Sequence, residues 1–219
     1  MPRPARAFLA FHAVVVLVAI AVQIPITAGD ADGLFPTPQG RVANLFTFFT
    51  IQTNVIVAVT SLALAIAPER ASTAVRALRL DALLGIIVTG LVFHVVLSGL
   101  YTFDGAEWYT NQVFHTVSPL LTVIGWVVFG PRGLIDLRTV AWSLVFPLAW
   151  LALTLVRGAL TGWYPYPFID VGGRGGGPPP RPPPRRPPPK RGGPGRARGG
   201  APGGGPAGGP ARGGGRRAP

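Results

Sequence analysis

Long apolar runs alternate with short polar joints along the first 171 residues. Five runs stand out, at about 7–28, 43–67, 77–99, 112–130 and 137–160. A helix rises about 1.5 Å per residue, so about 20 apolar residues cross about 30 Å of hydrocarbon. Each run is long enough. A soluble domain would instead show shorter, amphipathic segments folded around one core. The joints carry helix stops: Ala-Pro at 67–68, Gly-Pro-Arg-Gly at 130–133, and Gly-Asp or Asp-Gly pairs in the longer loops. The pattern predicts an all-α polytopic membrane helix bundle with five visible transmembrane helices. The first run follows Arg3 and Arg6 and exceeds the roughly 7–15-residue core of a cleaved leader, so we read it as a retained helix.

Composition changes this picture at one place. From Gly172 to Pro219 the chain uses only Gly, Pro, Arg and Ala, plus Lys190. The formal charge of +12 belongs to that tail, which has ten Arg and one Lys and no acid. Residues 1–171 hold nine Arg against eight acids. The high isoelectric point therefore does not argue for nucleic-acid binding by the body, and the tail lacks the aromatic residues that stack on bases. With no Cys in the chain, a disulfide, a thiolate nucleophile and a thiolate metal site are all excluded. The tail reads as disordered.

The arginines also predict an orientation, because cytoplasmic loops are enriched in them. Arg3, Arg6, Arg70, Arg76, Arg79, Arg132 and Arg138 fall on one side, against Arg41 and Arg157 on the other. The amino terminus is then cytoplasmic in a bacterial cell membrane. Five spans leave the basic tail outside, whereas a sixth would return the carboxy terminus to the cytoplasm.

Polar groups at membrane depth are costly, so each is a functional candidate. Otherwise it ties helices together. Thr47, Thr50 and Asn54 recur at i, i+3 and i+7, with Thr53 beside them. Asn111, His115 and Ser118 form a second stripe, and His94, Ser98 and Tyr101 a third. All three stripes fall at similar depth, with Arg157 near the same end. A hydroxyl is a weak nucleophile near neutral pH and needs a base within hydrogen-bond reach, and histidine is the usual base. Such a pair inside the membrane suits a lipid-like substrate. The plainer alternative is that each Thr bonds its own helix and each His packs in a network. His12 lies toward the other end and reads as structural. No second His or carboxylate stands at ligand spacing, so neither metal nor cofactor is expected. Trp163, Tyr164 and Tyr166, with Pro165 and Pro167, read as a rigid turn in an interfacial aromatic belt, which Trp108 and Tyr109 also mark.

Three stretches together resemble the bacterial Pr6Pr family of six-helix membrane proteins: NLFTFFTIQTNVIVAV at 44–59, NQVFHTVSPLLTVIGWVVFGPRG at 111–133 and RGALTGWYPYPFIDV at 157–171. More distantly, the pattern is similar to the androgen-induced membrane hydrolases of animals. In those proteins a threonine on an early helix and a histidine in an N-x-x-x-H-T context hydrolyse fatty acid esters of hydroxy fatty acids. The resemblance places Asn111 and His115 on that motif and leaves the threonine open between Thr47 and Thr50. It implies a hydrolase of lipid esters with one of those threonines as nucleophile and His115 as base. Asn111 would orient the imidazole or donate to an oxyanion, and His94 or Arg157 would assist. The other reading is a non-enzymatic membrane protein, a small-molecule carrier or a scaffold, of either kind with oligomeric state open. No internal inverted repeat favours a carrier. The sixth helix is expected after Val171, where the Gly/Pro/Arg/Ala tail begins. All four residue types have GC-rich codons, so we read the tail as a frameshift product; a genuine tail would run extended where Pro clusters. Resequencing decides between these: an apolar span in another frame downstream of codon 171 is expected, and its absence would leave the tail genuine.

Overall fold

The computed structural model describes residues 1–31, 35–67, 72–130 and 135–170. The tail at 172–219, with its expected disorder and frameshift origin, lies outside the described residues. Among those residues the chain is helical, without strands, and five helices are long and apolar enough to cross a membrane. Many apolar side chains face outward, with Val95 80%, Leu137 88% and Leu160 82% exposed. An apolar surface on that scale is untenable in water and belongs in lipid. The protein is a multi-pass membrane protein.

The first span is one helix, α1 (Arg3–Gly29), with Pro25 inside it. The second run, expected to be continuous, divides into α2 (Pro38–Leu45) and α3 (Phe49–Ile66). Between them Phe46–Phe48 form a turn in which the Thr47 amide donates to the Asn44 carbonyl at 2.9 Å. Thr37 caps α2, accepting from the Gly40 amide at 3.0 Å. The third span starts a turn earlier than expected. Ser72 accepts from the Val75 amide and caps α4 (Thr73–Val92), which continues into a π-helical turn at Phe93–Leu97.

The fourth span also starts early, at α5 (Gly105–Gln112), passes through a second π turn at Val113–Val117, and ends as α6 (Ser118–Phe129). Trp108 and Tyr109, expected in a loop, are exposed on α5. The fifth span is broken at Leu144 into α7 (Leu137–Ser143) and α8 (Val145–Thr161). Pro147 explains this break: its ring would collide with the Ser143 carbonyl and it has no amide to donate.

Helix α3 lies in the middle of the bundle, packed on α1 and α4, while α4 also meets α6 and α7. The core joins Val16 and Ile20 of α1, Ile51 and Val57 of α3, and Ile86 of α4 to Phe114 of the second π turn. Small residues permit close approach, as is usual between helices in lipid. A Cβ on Gly85 would come within 2.7 Å of Thr53 Cγ2, and one on Gly90 within 3.2 Å of the His115 carbonyl oxygen. Thr53, fully buried, is held by its own helix at Phe49 and by Thr89 across from it. Gly85→Ala should therefore cost about 1–3 kcal/mol through overpacking and lower the thermal midpoint in detergent. Gly99→Ala, with open space around it, should not be affected by overpacking; equal loss in both variants would refute this packing account.

Candidate active site

Several hydroxyls here are answered by their own helix. Thr53, Thr60, Thr122 and Thr161 each donate to the carbonyl four residues back, at 2.7–2.9 Å. This is the common fate of threonine on a helix. Thr50 differs because it is the second residue of α3. Its carbonyl four residues back belongs to Phe46, outside the helix, which accepts instead from Gln52 Nε2 at 2.8 Å. The buried Thr50 hydroxyl looks outward from its helix, with Nε2 of His115 at 3.4 Å and the hydroxyl of Tyr166 at 3.2 Å.

His115 sits in the second π turn, where the Ser118 amide reaches back five residues to the Val113 carbonyl. Such turns often accompany functional sites. The imidazole Nδ1 is 3.0 Å from the Asn111 carbonyl oxygen. A carbonyl can only accept, so Nδ1 carries the proton and Nε2 of the neutral ring is an acceptor facing Thr50. The Phe93 ring stacks on the imidazole, with centroids 4.1 Å apart and planes at 22°. The site is thus walled by a residue of the other π turn. Asn54 ties both halves together, donating Nδ2 to the Thr50 carbonyl at 2.8 Å and towards the Phe114 carbonyl at 3.4 Å. Its Oδ1 is buried without a partner among the described residues.

Tyr166 completes the site. Its hydroxyl accepts the Thr50 amide at 3.3 Å, a donor left free because the first amides of a helix have no partner inside it. The ring is only 9% exposed and packs edge-on against Phe48 and face-on against Phe168. Trp163 and Tyr164 are buried too, and the Tyr164 ring occupies the space where Gly158 lacks a side chain. These three side chains are therefore packed inside the protein, where an interfacial belt was expected. Burial pushes the Tyr166 phenol above its ordinary pKa.

The other expected residues have different places. Thr47, expected on the same helical face as Thr50, lies in the turn before α3. It donates to the Asn44 carbonyl at 2.7 Å and accepts from Arg157 at 2.9 Å. Arg157 also donates to Asn44 Oδ1 at 2.9 Å and lies over the Trp163 ring at 4.4 Å, while Trp150 Nε1 donates to the Thr47 carbonyl at 3.0 Å. Thr47 and Arg157 thus hold the turn. Asn111 reaches His115 through its backbone carbonyl. His94 is exposed and pairs with Thr116 at 3.1 Å. Ser118 is turned away from His115 and meets buried His12 at 3.3 Å. The π turn shifts the register, so the expected stripe of Asn111, His115 and Ser118 does not share one face. Buried Asp81, whose Oδ2 has no partner among the described residues, was not weighed from sequence, although it is a lone carboxylate within a span.

Comparison of the chain with protein-family models, with curated proteins and with solved structures finds no match. The site therefore has to be read from its own geometry. That geometry requires one imidazole tautomer. Nitrogen-15 spectra of histidine-labelled protein near neutral pH should show His115 protonated at Nδ1 and bare at Nε2. The reverse tautomer would remove the acceptor that faces Thr50.

Proposed function

We propose that the protein is a membrane-embedded hydrolase of lipid esters, with Thr50 as nucleophile and His115 as general base. The observation that carries this reading is the contact between Thr50 Oγ1 and Nε2 of His115, the ring nitrogen opposite the one that faces the Asn111 carbonyl. At 3.4 Å it is long for a hydrogen bond, and such bonds commonly tighten only when substrate binds. Thr50 Oγ1 would attack the ester carbonyl carbon as its proton passes to Nε2. The tetrahedral intermediate would collapse with loss of the alcohol, which takes the proton from His115. Water, activated by the same imidazole, would then cleave the acyl-threonine ester and regenerate the hydroxyl. An apolar substrate suits a site inside a bundle whose outer faces meet lipid.

Placement in the Pr6Pr family, and in a bacterial cell membrane with a cytoplasmic amino terminus, belongs to the same proposal. Its support is convergence: each of the three stretches that carry the resemblance contributes one member of the site, Thr50, His115 and Tyr166. The resemblance to the animal hydrolases suggests the ester chemistry, and the contact of Thr50 with His115 favours Thr50 over Thr47 as the threonine that takes part.

The test uses full-length protein in detergent and a fluorophosphonate probe, whose fluoride an activated hydroxyl displaces. Labelling should fall by at least about 100-fold in Thr50→Ala and in His115→Ala, the scale expected for losing a nucleophile or its base. Thr47→Ala should retain labelling when correctly folded, with reduced thermal stability. Labelling indifferent to Thr50 and His115 would leave the non-enzymatic reading, a carrier or scaffold tied together by its polar cluster.

A further inference from the structure

The geometry points to Tyr166 as a further catalytic residue, the donor to the oxyanion formed when Thr50 attacks an ester carbonyl; the inference rests on Thr50 and His115 acting as proposed above. It follows from counting protons along one chain of contacts. The Asn111 carbonyl fixes the His115 proton on Nδ1, so Thr50 must donate to Nε2. A hydroxyl has one proton to give. The 3.2 Å contact between Thr50 Oγ1 and the Tyr166 hydroxyl therefore runs the other way, with Tyr166 donating. The Tyr166 oxygen in turn accepts the Thr50 amide at 3.3 Å, which directs its own proton toward Thr50 Oγ1. Each proton along this chain then has one acceptor, and the chain has one direction. It runs from the Thr50 amide through Tyr166, the Thr50 hydroxyl and His115 to Asn111.

That direction places a protonated phenol beside the atom that reacts. Burial holds the phenol in its protonated form, so it donates without titrating near neutral pH. As Thr50 Oγ1 bonds to the carbonyl carbon, its proton moves to His115 Nε2 and the carbonyl π pair moves onto the carbonyl oxygen. Thr50 Oγ1 keeps lone pairs after the attack, but the new oxyanion beside it is a far stronger acceptor. Tyr166 turns its hydrogen bond to the adjacent oxyanion and keeps its proton throughout. Water, which later cleaves the acyl-threonine, is the only co-reactant. Preorganised donors at a developing oxyanion act most strongly where water is excluded, and the packing of Tyr166 against Phe48, Trp150 and Phe168 supplies that exclusion.

Tyr166→Phe keeps this ring packing and removes only the hydroxyl. Hydrolysis of a p-nitrophenyl ester of a medium-chain fatty acid by full-length protein in detergent gives the first readout. We expect kcat to fall about 100-fold, the usual scale for losing one oxyanion donor, with KM changed less than twofold. An active wild type matched in kcat by Tyr166→Phe overturns this inference and leaves the Thr50–His115 reading intact. A wild type that neither hydrolyses nor labels overturns both. The second readout needs no turnover. The Cζ carbon-13 resonance of Tyr166, assigned through Tyr166→Phe, should shift in Thr50→Val, which keeps the shape and removes the acceptor. An unmoved resonance overturns the donation and the inference with it.

Discussion

A buried hydroxyl in a membrane bundle has no bulk water to bond, so leaving it without a partner inside the chain is costly. Several threonines here, Thr53 and Thr60 among the buried ones, avoid that cost on their own helix, at the carbonyl one turn back. Thr50 cannot, because its helix begins only one residue earlier. Its hydroxyl must reach other elements, and those it reaches are an imidazole and a phenol. The candidate chemistry follows from that displacement.

What keeps the helix from running through is a set of bonds from the far side of the bundle. Arg157 and Trp150 of α8 hold the polar groups of Asn44 and Thr47 at the turn. The same Arg157 lies over Trp163, at the start of the segment that brings Tyr166 to the site. The turn and the closing segment are thus secured by one side chain. On the opposite wall the two π turns bring Phe93 and His115 into a stack, and Gly90 gives the second turn room to approach α4. Arg157 and Asn54 position the site without reaching the reacting atoms.

The five spans were legible in sequence because apolar length is set by the bilayer, whatever the neighbouring helices do. The pairing of a threonine with His115 was legible too, since polar residues at one depth are few. Less visible were the breaks. The Phe46–Phe48 turn carries no Pro or Gly, and its cause lies a hundred residues away in α8. Pro147 did signal the second break, but the run around it is apolar enough to read as continuous. The π turns leave no mark in composition, and they redirect Ser118 from His115 to His12. Tyr166 was hidden by its company: a Trp- and Tyr-rich segment after a span suits an interfacial belt, and only the tertiary fold buries it.

The account stands or falls on which oxygen is activated. Full-length protein treated with a fluorophosphonate, then digested and sequenced by tandem mass spectrometry, identifies that oxygen directly. The adduct should lie on Thr50, in the peptide that begins the central helix. An adduct on Thr47, on Tyr166 or on any other hydroxyl, with Thr50 unmodified, would contradict it.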